Sequence, residues 1–490
     1  AGVSEKWGTR CPLHRLLQPS LGEVVECIHT KEEVFKELSV GWEDEAVDES
    51  NKGKERDDLP IWEESESNIV MDDEGKRIKS GSFNKLVERL TFIASWDGSA
   101  YMRYLKTFLL TYRSFSTPAE LFHKLKERFD QPSFGKAGQD EEEEREKKNQ
   151  LQVRVCSVLS KWVDNNPEDF SEEMMNTVLQ FVKAKLETNQ AHDTSAKKLR
   201  AAIERMKKVA KEKVAKTYAS PPPMPILPRD PSLLFSSHLS IFDINEEEIA
   251  RQLTLIDFKI FSSIKPVELL NQAWNKPKLK HRAPNVLAMI SRFNGVSNWV
   301  ARAVVEKEKL KDRVQVLTKL VTIAEHLRGL NNFNAAMAVV AGLSNAAVHR
   351  LRHTFDDLPR KSADALKALK ELLKSDGAYK GYRDALHTSN PPIVPYLGVY
   401  LTDLTFIEDG NPDNVGDLIN FTKREYVFNV ILEVQQYQQL GYNLLDIVQV
   451  RDLLLTFPSF ELDTQKQFED EMYAMSLKRE PRGAEKSTLE

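Results

Sequence analysis

SNPPIVPYLGVYLTDLTFIEDGNPD, residues 389–413, and INFTKREYVFNVILEVQQYQQ, residues 419–439, are the two stretches whose joint reading decides the fold. Prolines 391, 392 and 395 stiffen the entry, because each fixes φ and removes a backbone donor. Beyond Pro395 the positions Val399, Tyr400, Asp403, Leu404 and Ile407 fall at helical spacing. Gly410 predicts the helix stop, in the manner of a C′ glycine. Thr405 and Asp409 lie four apart and so share one face, and this arm ends in acid groups. The second stretch places Phe421, Phe428, Ile431 and Leu432 on a further helix. Two helices with a short link predict an antiparallel hairpin. On these grounds alone it reads as an ordinary core hairpin.

The same helical spacing recurs on both sides of this segment. SFNKLVERLTFIAS gives Phe83, Leu86, Val87, Leu90 and Ile93, and YMRYLKTFLLTYRSF gives Tyr101, Tyr104, Leu105, Phe108 and Leu109. Ser116 or Thr117 ahead of Pro118 predicts a helix start, where the missing proline N–H costs nothing. VRVCSVLSKWVDNNP (153–167) and FSEEMMNTVLQFVKAKL (170–186) supply two more helices. In RVQVLTKLVTIAEHLRGL the positions Val314, Leu317, Leu320, Val321, Ile323 and Leu327 do the same, as do Ile249, Leu253 and Ile256 in EEEIARQLTLIDFKIFSSI. No long alternating strands, no repeat and no βαβ alternation occur, so the fold class is all-α.

Composition divides the chain. Residues 1–75 are acidic over 30–66 and predict an N-terminal extension, partly disordered. Residues 76–218 predict one helical domain, 219–237 a linker, 238–482 a larger helical domain and 483–490 a tail. The linker carries ASPPPMPILPRDPS (219–232), a semi-rigid extended tether, with docking to an aromatic groove as the minor alternative. The run DEEEEREKK (140–148) reads as a solvated loop or helix face. The basic stretch Lys197–Lys216 reads as an exposed helix face, with contact to anionic lipid as the second reading.

Of 490 residues 41% are hydrophobic and 29% charged, and the net charge is −5, so nothing points globally to nucleic acid or a membrane surface. No apolar run approaches a membrane span, and AGVSEKWGTRCPLHRLLQ holds no signal-peptide core. The expected location is cytoplasmic. The chain opens on Ala1, which suggests a fragment or processed chain whose targeting signals lie elsewhere. Cys11, Cys27 and Cys156 form no CxxC pair and have no histidines at zinc spacing, so idle thiols in a reducing compartment are expected.

Enzyme signatures are missing. No GxxxxGK[ST], GxGxxG, HExxH or GxSxG occurs, and His281, His326, His349 and His353 have no metal spacing. No metal and no cofactor is expected, and the absence favours a protein that works through binding surfaces.

EIARQLTL (248–255), LNNFNAAMAVVAGLSNAAVHRL (330–351), NPPIVPYLGVYLTDL (390–404), LINFTKR (418–424) and SLKREPR (476–482) closely resemble the catalytic domain of Ras-family guanine-nucleotide exchange factors, in family order. GSFNKLVERLTF (81–92) and TFLLTYRSFSTPAELFHKLKERF (107–129) resemble the Ras exchanger motif domain that precedes it in that family. The resemblance implies two packed helical domains, with the hairpin protruding from the larger one. It implies a small GTPase of the Ras family as partner, with Ras, Rap and Ral as client branches and Ras favoured. The hairpin would enter beside switch 1, with Thr405 and Asp409 disturbing the magnesium and phosphate positions, Leu404 beside them and Asn411 bracing the tip. Thr405 and Asp409 depart from the Leu and Glu of Son of sevenless, the acid preserved in kind. Trp274, Leu287, Met289, Ile290, Ser344, Asn345, Tyr379 and Tyr396 would anchor switch 2, the aromatic and apolar surface of a hot spot. The first helical domain would buttress the hairpin. Recruitment to the membrane carrying the GTPase is implied. A non-catalytic GTPase-binding adaptor and a helical scaffold unrelated to GTPases are the other readings.

Overall fold

A computed structural model describes residues 59–92, 98–132, 141–209, 220–457 and 462–489. The N-terminal domain is built from α1 (Phe83–Leu90), α2 (Gly98–Thr111), α3 (Pro118–Phe129), α4 (Glu141–Asn165), α5 (Glu172–Phe181) and α6 (Asp193–Val209). The start of α3 follows the sequence signal: Thr117 Oγ1 accepts from the Glu120 N–H at 3.2 Å, and the Glu120 carboxylate accepts from the Thr117 N–H at 3.0 Å. The acidic run becomes the first turn of α4, where Glu141–Glu144 face the positive end of the helix dipole. Leu86, Leu90, Phe108, Tyr112, Leu121, Leu125, Trp162 and Leu199 close the core of this domain. Cys156 is buried in it, and burial pushes its thiol up to about 12, which leaves no reactive thiolate at neutral pH. Cys11 and Cys27 lie outside the described residues.

The C-terminal domain runs through α7 (Glu246–Phe261), α8 (Pro284–Val305), α9 (Leu310–Gly329), α10 (Phe333–Leu343), α11 (Ala346–His349), α12 (Arg352–Asp356), α13 (Arg360–Leu372), α14 (Asp376–Thr388), α15 (Leu397–Gly410), α16 (Phe421–Gln438), α17 (Val448–Leu455) and α18 (Leu462–Arg479). Helices α8 and α10 approach so closely that a Cβ on Gly342 would stand 2.5 Å from the Ser297 carbonyl and 2.7 Å from Val300 Cβ. Asp257, buried at the centre, meets the Arg292 guanidinium at 3.4 Å and accepts from the amides of Asn332 and Asn334. Every partner of this charge is itself buried, which is the condition for keeping an acid inside a core.

Four observations modify the reading of the sequence. The packed N-terminal unit begins ahead of residue 76: Ile61 is buried in its core, and β1 (Ile69–Met71) pairs with β2 (Ile78–Gly81). Residues 1–58 of the expected extension lie outside the described residues. The linker has no helix or strand from 221 to 228 but is laid on the C-terminal domain, with the Ile226 N–H on Glu248 (2.9 Å), Arg251 on the Met224 carbonyl (3.1 Å) and Asn443 on the Ser220 carbonyl (2.8 Å). Gly410 does not stop α15 as a left-handed C′ residue. It is the last helical residue, and Asn411 ends the helix by turning extended (φ −132°, ψ 124°) and donating its side-chain amide to the Ile407 carbonyl at 2.9 Å.

The fourth concerns strands. The link between the two arms of the hairpin is β3 (Asn414–Val415), a left-handed Gly416, and β4 (Leu418–Asn420). These join the N-terminal pair in one antiparallel sheet ordered β1-β2-β4-β3, with Ser80 opposite Asn420 and Gly81 opposite Ile419. Ile419 and Phe421 are therefore part of the N-terminal core, although they stand at the head of a C-terminal helix.

Candidate functional site

The hairpin is present, and its two sides differ. On α15, Leu397, Val399, Tyr400, Leu401 and Leu404 are buried in the C-terminal core. The opposite side carries Thr402, Thr405, Phe406 and Asp409, at spacings of three, four and seven that define one helical stripe. Thr402, Phe406 and Asp409 are exposed and Thr405 is half-buried, and Phe406 is 71% exposed. Phe406 thus places a large apolar ring on the solvent side of the stripe, where a partner surface can cover it. Sequence spacing points to Thr405 and Asp409, and only the structure adds Thr402 and Phe406 to them. The available signal was that Phe406 falls off the apolar face defined by Tyr400, Leu404 and Ile407. Leu404 is 1% exposed, so it corrects the expectation that it stands beside Thr405 at the surface: it is the floor under the stripe.

Polar bonds set the two named residues. Thr405 Oγ1 donates to the Leu401 carbonyl at 2.8 Å, so its hydroxyl is spent within the helix. Asp409 Oδ1 accepts from the Gln272 side-chain amide at 2.9 Å. Asp403, six residues earlier on the other flank, takes both oxygens to Arg383 Nη2 (2.8 and 2.9 Å), and Arg383 also donates to the Ala378 carbonyl at 3.0 Å. Asn411 ties the end of the arm back to its last turn through its bond to the Ile407 carbonyl.

The base of the tip is held by buried charge. Lys423 Nζ lies 2.7 Å from Glu408 Oε2 and 2.9 Å from Asp413 Oδ1, and Arg424 Nη2 lies 2.8 Å from the same Asp413 oxygen. The side chains of Lys423 and Arg424 are 2% and 1% exposed. Burial raises the Asp413 carboxyl, but Arg424 and then Lys423 outweigh it and hold it below the usual carboxylate range. These four charges fasten the first arm, the tip and the second arm to one another. The N-terminal domain grips the second arm from outside. Arg424 lies over the Phe115 ring at 5.6 Å, Tyr104 packs on Phe421 at 5.0 Å, and Arg103 donates to Asn429 at 3.0 Å. The expected contact between that domain and the hairpin is thus present, through the sheet and α2.

The second candidate surface is an aromatic and apolar ledge. Leu287, Ile290 and Phe293 recur at intervals of three along α8 and are half-buried. Tyr396 packs its ring on Phe293 at 5.3 Å and on Tyr379 at 6.2 Å. Tyr379 closes a run of three left-handed residues, Gly377, Ala378 and Tyr379 (φ 58°, 56° and 62°), the same turn that Arg383 ties to the hairpin. Phe293 was missed because its spacing alone cannot separate a ledge from a core face. Ser344 is exposed and Asn345 half-buried, and the Asn345 side chain caps α11 by accepting from the Ala347 N–H at 2.9 Å. Met289 and Trp274, 1% and 8% exposed, are core supports of this ledge and do not form its surface. Among the described residues no group of His, Cys, Asp and Glu could hold a metal ion, and no helix is long and apolar enough to cross a membrane.

A rigid helical arm with an exposed, acid-tipped stripe beside an aromatic ledge defines a protein that acts on another macromolecule by contact. Residues 248–425 match the RasGEF domain and residues 77–184 the RasGEF N-terminal motif. The chain is 41% identical over 463 residues to Ras guanine nucleotide exchange factor A of Dictyostelium discoideum, covering 89% of this chain and 73% of that protein. It is 42% identical to exchange factors J and I of the same organism over 84% and 85% of its own length, and spans about half of each of them (49% and 48%). The chain belongs to the Ras guanine nucleotide exchange factor family, with the N-terminal motif and the catalytic domain both present.

Proposed function

We propose that the chain accelerates GDP release from a Ras-family GTPase without covalent chemistry, by inserting α15 beside switch 1 while the ledge on α8, Tyr379 and Tyr396 holds switch 2. The observation that carries this is the stripe of exposed Thr402, Phe406 and Asp409 with half-buried Thr405, on an arm whose other sides are fixed by buried charge and by a sheet. Asp409 brings negative charge toward the position of the β-phosphate, where it opposes the anion and can pair with the phosphate-loop lysine once the site is empty. Thr405 reaches the magnesium position with its methyl, because its hydroxyl is held by Leu401. It can therefore obstruct the ion as an apolar residue would.

Such a protein supplies no net driving force. Exchanger and nucleotide lower each other's affinity for the GTPase by the same factor, so excess GTP refills the site and displaces the exchanger. Ras is the client favoured by the hairpin sequence, with Rap and Ral as the alternatives. The GTPase, carried on a membrane, would recruit the otherwise cytoplasmic chain there. Release of a fluorescent GDP analogue from Ras, Rap and Ral tests the proposal. Wild type should accelerate release from one of them, and Asp409→Asn should lose at least tenfold of that, about 1.4 kcal/mol of transition-state stabilisation. Saturable binding with no acceleration would instead make the chain an adaptor.

A further inference from the structure

Gln272 lies in an unusual piece of backbone. It and Asn271 are consecutive left-handed residues, each with φ 55°, in a loop that otherwise has no glycine to accept that conformation. A non-glycine residue there is strained, and two in succession persist only when their surroundings hold them. The surroundings are plain. Ala273 and Trp274 follow directly and are buried in the C-terminal core, and the Asn271 amide donates to the Ser114 carbonyl of the N-terminal domain at 3.4 Å. What the strained pair delivers is a single side chain: Gln272, itself 7% exposed, extends its amide to the exposed Asp409 carboxylate at 2.9 Å.

We propose that Gln272 is a positioning residue for exchange, holding one oxygen of Asp409 so that the other faces the GTPase. The choice of an amide matters. A lysine or arginine in its place would also fix the carboxylate but would cancel the charge that is to oppose the β-phosphate, whereas an amide orients it and leaves it negative. Among the described residues Asp409 has no other hydrogen bond, so its second oxygen is open to a partner. Without the donor, the Asp409 side chain at the outer end of α15 samples its rotamers freely, and the ordering cost falls on the encounter with the GTPase. This role rests on the proposed use of Asp409, and it adds the reason a buried glutamine is held in a disfavoured conformation at that point.

The test is a double-mutant cycle on the full chain, read by nucleotide release from the GTPase that responds best. Gln272→Leu keeps the bulk and removes the donor. It should slow release by about threefold to tenfold at saturating GTPase, the net range of an ordinary intramolecular hydrogen bond near solvent. Gln272→Gly, which accepts φ 55° without strain but also lacks the donor, should fall equally far. In an Asp409→Asn background both substitutions should have less than a twofold effect. Unchanged thermal unfolding in the glycine variant separates this from loss of fold. Full activity in Gln272→Leu, or an equal loss with and without Asp409, overturns the positioning role. A wild-type rate in Asp409→Asn alone would instead overturn the proposed function, so the two failures are distinguishable.

Discussion

Asp413→Asn isolates the charge that fastens the hairpin, because asparagine keeps the shape and an acceptor oxygen. In the native protein Asp413 serves two buried cations at 2.9 and 2.8 Å. Lys423 would retain Glu408 at 2.7 Å. Arg424 would keep a neutral acceptor in place of the carboxylate, beside the Phe115 ring, and its Nε and Nη1 already lack hydrogen-bond partners. Removing one partner of a fully buried pair costs about 3–5 kcal/mol. The Asp413 side chain is 36% exposed, however, so solvent screens the loss and about 2 kcal/mol is the expected cost. That corresponds to roughly a 30-fold change in an opening equilibrium. With two separate cores a single global unfolding transition is not the right measure, and the cost should appear as local opening. Amide hydrogen exchange over residues 411–424 should accelerate roughly 30-fold, while the buried amides of α4 stay protected. The sign with pH follows from the depressed carboxyl of Asp413. Its contribution is complete above the ordinary aspartate range and is lost as pH falls through its own lower value, so wild type and variant should converge in acid. Exchange rates at the tip within threefold of wild type at neutral pH would refute the clasp as a fastening.

Four other outcomes are expected. Phe406→Ala should leave the unfolding temperature unchanged, since the ring is 71% exposed, and should slow nucleotide release by tenfold or more; a normal rate would remove the ring from the contact. Gly398→Ala would bring a Cβ to 2.4 Å from the Tyr396 ring and swing it off Phe293, which should raise the GTPase concentration needed for half-maximal exchange with little loss of fold. Gly342→Ala drives a methyl into the Ser297 carbonyl where α8 and α10 touch, and should cost about 3 kcal/mol in the unfolding of the C-terminal domain, where an exposed helical glycine would instead gain about 0.5–1 kcal/mol. Thiol labelling of the native protein at neutral pH, mapped by mass, should leave Cys156 unmodified until denaturant is added, because burial raises its thiol to about 12.

The sequence by itself determined the helices and the two cores, since a 3.6-residue apolar period is a local property that survives in any tertiary setting. Leu86, Leu90 and Phe108 on one side, and Leu253, Leu317 and Leu404 on the other, were legible in that way, and the capped start at Thr117 was too. The motifs from 248 to 482 then carried the family. Only the tertiary structure decided which side of each helix meets solvent. Leu404 and Phe406 stand two residues apart and are both apolar, yet one is 1% and the other 71% exposed, because the neighbours that cover Leu404 arrive from distant parts of the chain. The sheet was illegible for the same reason. Strands of two to four residues have too little length to display alternation, and Ser80 and Asn420, which pair, stand 340 positions apart in the chain. The left-handed Gln272 and its bond to Asp409 belong to that class as well, being set by packing from both domains and not by any local preference of the chain.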